Sequence, residues 1–143
     1  MSQVVRERFS TKDRGGFRMG RDWYRDVVDF HKEVVGGDFP LHPHIPEPRR
    51  SCFQKELIRE EVIETLQALE SGDLVELVDG ICDSIFALLG TAVICGIDIR
   101  PFWDEVHRTN MLKGTGKLRG DGKIMSSPDW KPPRIRELLE EQV

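Results

Sequence analysis

No stretch of eighteen or so apolar residues runs uninterrupted through this sequence, so no segment reads as a membrane span. The opening residues, Met1 to Arg8, hold no apolar core of the kind a secretory signal needs, and the cytoplasm is the expected location. Cysteine is scarce: Cys52, Cys82 and Cys95 fall at no metal-ligand spacing, and Cys82 and Cys95 sit inside an apolar helical pattern. They are expected as buried thiols rather than redox groups. There is no polar low-complexity tract, so disorder is not the default; there is no internal repeat and no strong β-hairpin signal. At 143 residues the chain amounts to one domain. That is short for an enzyme that builds a deep cleft alone, and an oligomer is expected.

What the sequence does have is charge, unevenly placed. The net charge is -4, but carboxylates concentrate in the middle while Lys and Arg gather at both ends. Such a cationic rim around an acidic centre suits a metal site that receives a phosphorylated ligand. Residues 1–20 form a basic, glycine-rich stretch without helical or strand period, expected as a mobile arm; residues 21–143 are expected as a single domain.

Asp22 is the expected N-cap of a first helix ending at Gly36-Gly37, with Trp23, Val27, Phe30 and Val34 on a buried face and His31 beside it. The run Phe39 to Pro48 carries four prolines and reads as an extended connector; its His42 and His44, two apart in a loop, make a poor metal pair. A second helix is expected from a Ser51 cap to about Glu70, and a third, capped by Asp73, from Leu74 to Cys95. The third has a wide apolar arc, fitting the centre of a bundle that meets a second subunit. A fourth begins near Pro101 and carries Phe102, Trp103, Val106, Met111 and Leu112. Beyond Lys113 the pattern breaks into glycines and prolines before a short closing helix over Ile135 to Glu141.

Two acidic stripes stand out. An α-helix advances about 100° per residue, which puts Glu60, Glu61 and Glu64 on one face, with Ile58, Val62, Leu66 and Leu69 roughly opposite and expected in a core. On the next helix Glu76, Asp79 and Asp83 fall within about 60° of one another. A short turn makes the two helices antiparallel neighbours, so the stripes can face one space. Carboxylates so crowded repel, and a cation is the natural compensation; hard oxygen donors without a His or Cys cluster favour magnesium or manganese.

Glu60-Glu61-Val62-Ile63-Glu64 resembles the Glu-Glu-x-x-Glu motif of the all-α nucleoside triphosphate pyrophosphohydrolases, and Glu76-Leu77-Val78-Asp79 resembles their Glu-x-x-Asp motif on the following helix. The likeness extends to Asp29-Phe30-His31, to Asp104 through Lys113, and through Asp121-Gly122-Lys123 to Trp130-Lys131-Pro132-Pro133. It is nearest to the small MazG-like, phosphoribosyl-ATP pyrophosphohydrolase-like group, relatives of the dimeric dUTPases. The resemblance implies an all-α, four-helix-bundle-type fold completed by oligomerisation as a homodimer or homotetramer, with an irregular C-terminal tail. It also implies hydrolysis of a nucleoside triphosphate, with Mg²⁺ or Mn²⁺, to a monophosphate and pyrophosphate.

On that likeness Glu61, Glu64, Asp79 and Asp83 are the expected metal ligands and Glu60 the base or a residue just behind the ligands, all five serving catalysis. Arg108, Asn110, Lys113, Lys123 and His31 are expected to bind substrate, with Lys117 and Arg119 as further cations of a phosphate clamp. The second motif has two registers. If Asp83 is its aspartate, Gly80 occupies the glutamate position; if Asp79 is, Glu76 fits and Asp83 is an extra ligand. dUTP or dCTP leads as substrate, with phosphoribosyl-ATP as the alternative. A non-catalytic helical module that binds nucleic acid or protein through its basic ends is the competing class, though co-facing carboxylates argue against it; neither a membrane nor a nucleic acid is the expected partner.

Overall fold

The computed structural model describes residues 20–115 and 117–143; the basic arm expected over 1–20 lies outside them except for Gly20. The described chain is all-α: α1 (Trp23–Phe30), α2 (Pro48–Ser71), α3 (Leu74–Ile94), α4 (Arg100–Met111) and α5 (Ile135–Glu140).

Asp22 caps α1 as expected, accepting from the Arg25 amide at 3.1 Å. The helix then widens over His31–Val35 into a π-type turn, closed where the Gly36 amide donates to the His31 carbonyl at 2.9 Å. The wider turn breaks the spacing on which a face of 23, 27, 30 and 34 depends. Val27 is buried, but Trp23, Phe30 and Val34 are exposed, and His31 goes inward instead.

Helix α2 starts three residues before the expected Ser51. Pro48 opens it and the Glu47 carboxylate accepts from the Arg49 and Arg50 amides, both at 2.8 Å, so the cap is a glutamate just ahead of an N-terminal proline. Asp73 caps α3 by accepting from the Val75 and Glu76 amides at 3.0 and 3.1 Å. With only Gly72 and Asp73 between them, α2 and α3 pack antiparallel along their whole length.

The seam of that pair is made of small and polar residues. Gln54, Thr65 and Ala68 of α2 meet Gly80, Ser84, Ala87 and Thr91 of α3. Gln54 donates to the Ala87 carbonyl (3.2 Å) and to Thr91 Oγ1 (2.9 Å), while Thr65 Oγ1 donates to the Glu61 carbonyl (2.7 Å) and lies 3.0 Å from Ser84 Oγ. The helices approach closely at Gly80, where a β-carbon would lie 2.8 Å from Thr65 Oγ1 and 3.1 Å from its Cα.

The expectation that Val62, Leu66 and Leu69 face a core is corrected: they are 38%, 53% and 62% exposed. They flank the seam rather than form it, and nothing among the described residues buries them. Cys82, expected to be buried, is likewise exposed, as is Cys52; only Cys95 is buried. Helix α3 is long and apolar enough by composition to cross a membrane, and a third of that apolar window is buried within the chain. Its apolar excess matches a helix packed by α2 on one side and by α1 on another.

The loop after α3 ties the ends together. Arg100 pairs with Asp22 and Asp98, both at 2.7 Å, Tyr24 donates to the Ile97 carbonyl at 3.0 Å, and Gln142 exchanges two hydrogen bonds with the Asp98 backbone. Gly96, at φ +69°, lets the proline connector dock there: a β-carbon would come within 2.6 Å of the His42 carbonyl. Helix α4 buries Phe102, Glu105 and Thr109, while the expected apolar positions Trp103, Met111 and Leu112 are exposed. The tail is less irregular than expected, since Lys117–Met125 folds into a tight hairpin around one bridge, Leu118 to Ile124.

Candidate metal and phosphate site

The seam explains how the two acidic stripes meet. Thr65 and Gly80 face each other, so residues one step away on each helix turn about 100° to either side. In an antiparallel pair, Glu64 and Asp79 then fall on one side, and Leu66 and Ile81 on the other. The α2–α3 hairpin is therefore two-sided, acidic on one side and apolar on the other.

Glu61 sits nearest the seam and is half-buried, while Glu60, Glu64, Asp79, Asp83 and Glu76 are exposed. Desolvation first, then the carboxylates of Asp83, Glu64, Glu60 and Asp79, hold the Glu61 carboxyl above the ordinary glutamate range. The other four expected catalytic carboxylates, from both helices, thus all bear on Glu61. Among the described residues none of the five is in an ion pair. A folded-state pKa raised in this way favours the fold at low pH and works against it as pH rises through that pKa, unless a positive charge arrives.

The donor set fits a hard divalent cation: carboxylate oxygens, several of them, unpaired and partly desolvated at the centre. Among the described residues no three Asp, Glu, His or Cys side chains already converge at metal-binding geometry. Closing around a cation requires rotation of exposed side chains, for which Glu60 and Glu64 have room: they border a shallow depression of about 390 Å³ with Arg59 and Ile63.

Gly80 stands in the seam, between the residues of the second stripe. A glutamate there would drive its side chain into the Thr65 backbone, so Gly80 serves the close approach of the helices, with Asp79 beside it and Asp83 one turn on.

The expected phosphate-binding residues are dispersed. His31 is buried, its Nδ1 2.8 Å from the Val27 carbonyl and its ring against Gly90, two helical turns beyond Asp83. Arg108 is committed to Glu105, donating to both of its oxygens at 2.8 and 2.9 Å. Lys113 stands 4.8 Å over the Trp130 ring, whose indole N–H donates to the Thr109 carbonyl at 2.9 Å. Asn110 is exposed at the end of α4. Lys123 lies on the hairpin, where strand alternation sets it on the same face as Lys117 and Arg119, the last paired with Asp121 at 3.1 Å.

Sequence reasoning missed Glu105. It is buried, receives Arg108, and accepts from the Arg134 amide at 3.1 Å, which together hold its pKa down to about 2. It fastens the C-terminal segment to α4. Its signal was the i,i+3 spacing to Arg108 within a helix whose other buried positions, Phe102 and Thr109, share its face.

A family model described as phosphoribosyl-ATP pyrophosphohydrolase matches residues 31–110, more than half of the chain. The match spans α2, α3 and nearly all of α4, and therefore both acidic stripes; it stops short of Lys113 and Lys123. No curated protein matches the chain. A family match over the whole acidic hairpin sets aside the non-catalytic module: the chain belongs to the phosphoribosyl-ATP pyrophosphohydrolase family, within the all-α pyrophosphohydrolase superfamily, and is a nucleotide pyrophosphohydrolase.

Proposed function

We propose that the chain hydrolyses a nucleoside triphosphate to a nucleoside monophosphate and pyrophosphate with Mg²⁺, or Mn²⁺ in its place, at the acidic side of the α2–α3 hairpin. The observation that carries this reading is the gathering of five carboxylates from two helices on one side of the hairpin, none of them in an ion pair among the described residues, around a Glu61 carboxyl raised first by desolvation and then by the other four. Glu61, Glu64, Asp79 and Asp83 are the proposed ligands. A divalent cation there offsets charge on phosphate oxygens and makes a nearby water more acidic. Glu60, further from the seam, accepts the proton of the attacking water.

Acidic helices repel a triphosphate, so cationic donors must reach it from elsewhere. Lys123 and Lys117 on the hairpin, with Lys113 and Asn110 at the end of α4, are the proposed clamp, and the Trp130 and Glu105 contacts fix where that segment leaves α4. Arg108 and His31 support the reading less directly, because each is held by its own structural partner. The apolar side of the hairpin, with Val62, Leu66, Leu69 and Ile81 exposed, supports assembly as a homodimer or homotetramer.

dUTP or dCTP is the proposed substrate. The family match favours a second reading, phosphoribosyl-ATP. Pyrophosphate release measured with Mg²⁺ over the canonical nucleotides and phosphoribosyl-ATP separates them; turnover of phosphoribosyl-ATP alone overturns the first choice, and turnover of none overturns the proposed activity.

A further inference from the structure

The segment that leaves α4 is fastened by one side chain from further along the chain. The Trp130 indole N–H donates to the Thr109 carbonyl at 2.9 Å, and the Lys113 ammonium stands 4.8 Å from the centre of the same ring. Carbonyls in the last turn of a helix need donors from outside it, so the indole both closes the end of α4 and sets where the chain beyond Asn110 departs. Trp130 is itself held on both sides. Its amide donates to the Ser127 carbonyl at 3.0 Å, and four residues on the Arg134 amide donates to Glu105 at 3.1 Å. Glu105 and Thr109 are both buried and lie four residues apart on α4, so the two anchors fall on one face of the helix.

The kind of partner Lys113 has decides what it can do. Arg108 and Arg119 face the carboxylates of Glu105 and Asp121, which offset their charge. Lys113 is in no ion pair among the described residues, and its ammonium rests on a neutral ring whose face attracts a cation without cancelling it. A lysine side chain has several rotatable bonds, and docking its ammonium on a phosphate costs much of that freedom. Over the indole part of that ordering is already in place. An ammonium carries three N–H donors, so one held by a ring can still donate to a phosphate oxygen on its other side.

Resting on the proposed nucleotide hydrolysis, we propose that Trp130 is a positioning residue of the phosphate clamp and acts through Lys113. Its ring holds the ammonium ordered and unneutralised for the phosphate chain of the substrate, and its N–H fixes the helix end from which Lys113 projects. The family match ends at residue 110, so this pair belongs to the part of the chain that the match does not reach. In this role Trp130 makes no contact with the reacting phosphorus, and its loss weakens substrate binding while sparing the chemical step.

A double-mutant cycle separates this role from a purely structural one. KM and kcat are measured with Mg²⁺ for Trp130→Leu, Lys113→Gln and the double variant of the full-length protein, with circular dichroism as the check on folding. The substrate is whichever of the canonical nucleotides or phosphoribosyl-ATP the wild type turns over best. Trp130→Leu should raise KM roughly 2- to 30-fold, the range for loss of one cation–π contact, and leave kcat within about twofold. In the Lys113→Gln background the same change should raise KM less than about twofold, since the ammonium it serves is gone. Trp130→Phe keeps a ring face without the indole N–H; it should recover part of the loss, and it supplies the same comparison if Trp130→Leu unfolds. An unchanged KM, an equal rise in KM with and without Lys113, or a loss confined to kcat overturns the positioning role and leaves the hydrolase reading intact. If the wild type releases pyrophosphate from none of these substrates, the functional reading falls and the assignment of Trp130 with it.

Discussion

Gly80→Ala tests the geometry on which the acidic side depends. In an ordinary exposed helix this change stabilises by roughly 1 kcal/mol, because alanine gives up less backbone freedom than glycine. Here the new methyl group would stand 2.8 Å from Thr65 Oγ1, 3.1 Å from Thr65 Cα and 3.2 Å from its amide nitrogen. The hydroxyl cannot simply turn away, since it bonds the Glu61 carbonyl and Ser84, and the backbone atoms belong to a 24-residue helix. Overpacking of this kind costs about 1–3 kcal/mol. Against the propensity gain, the net is a loss of about 1 kcal/mol, or roughly 2–4 °C in melting temperature for a chain of this size. Thermal unfolding followed by circular dichroism measures it. The substitution should also spread Glu61 from Asp83 and weaken cation binding. A melting temperature that rises by a few degrees would refute the close helix approach and the account of the second stripe built on it.

Glu105→Gln should lower the melting temperature at neutral pH by unpairing Arg108 and loosening the Arg134 amide. Because the Glu105 pKa is held down to about 2 in the fold and lies near 4.5 in an unfolded chain, its contribution is complete above about pH 4.5. It disappears as pH falls through about 2, so melting curves of wild type and variant should converge over that window; a difference independent of pH would contradict the pairing. Leu66→Glu places a charge on the apolar side of the α2–α3 hairpin and should shift the chain toward monomer in light scattering coupled to gel filtration. An unchanged mass for a wild-type oligomer would remove that side from the interface.

The helices were legible in the sequence where a strong local signal governs them. Asp22 and Asp73 cap as their side chains require, and the Gly72-Asp73 turn makes α2 and α3 partners. The packing was less legible. Periodicity alone placed Val62, Leu66 and Leu69 in a core, yet the seam runs through Gln54, Thr65, Gly80 and Ser84, residues that no hydrophobic pattern selects. Small side chains and paired hydroxyls allow close helix approach, and their value depends on the opposing residue. The π-type turn at His31 and the reach of Glu105 to Arg134 share that character, since each depends on a contact that only the fold creates. The acidic stripes were legible because helical angle alone sets which carboxylates share a face. Gly80 looked like a defect in a motif when considered on one helix and becomes a packing requirement once Thr65 stands opposite.

The central claim is that the carboxylates of two helices act together on one nucleotide, and it is tested most directly by pyrophosphate release from Glu61→Gln and Asp83→Asn, each assayed with Mg²⁺ on the best nucleotide substrate of the wild type. These changes keep side-chain volume and remove one charge from α2 and one from α3, respectively. Both variants should keep the helical circular dichroism of the wild type and lose at least about 100-fold in turnover. Wild-type-like release by both would contradict the assignment.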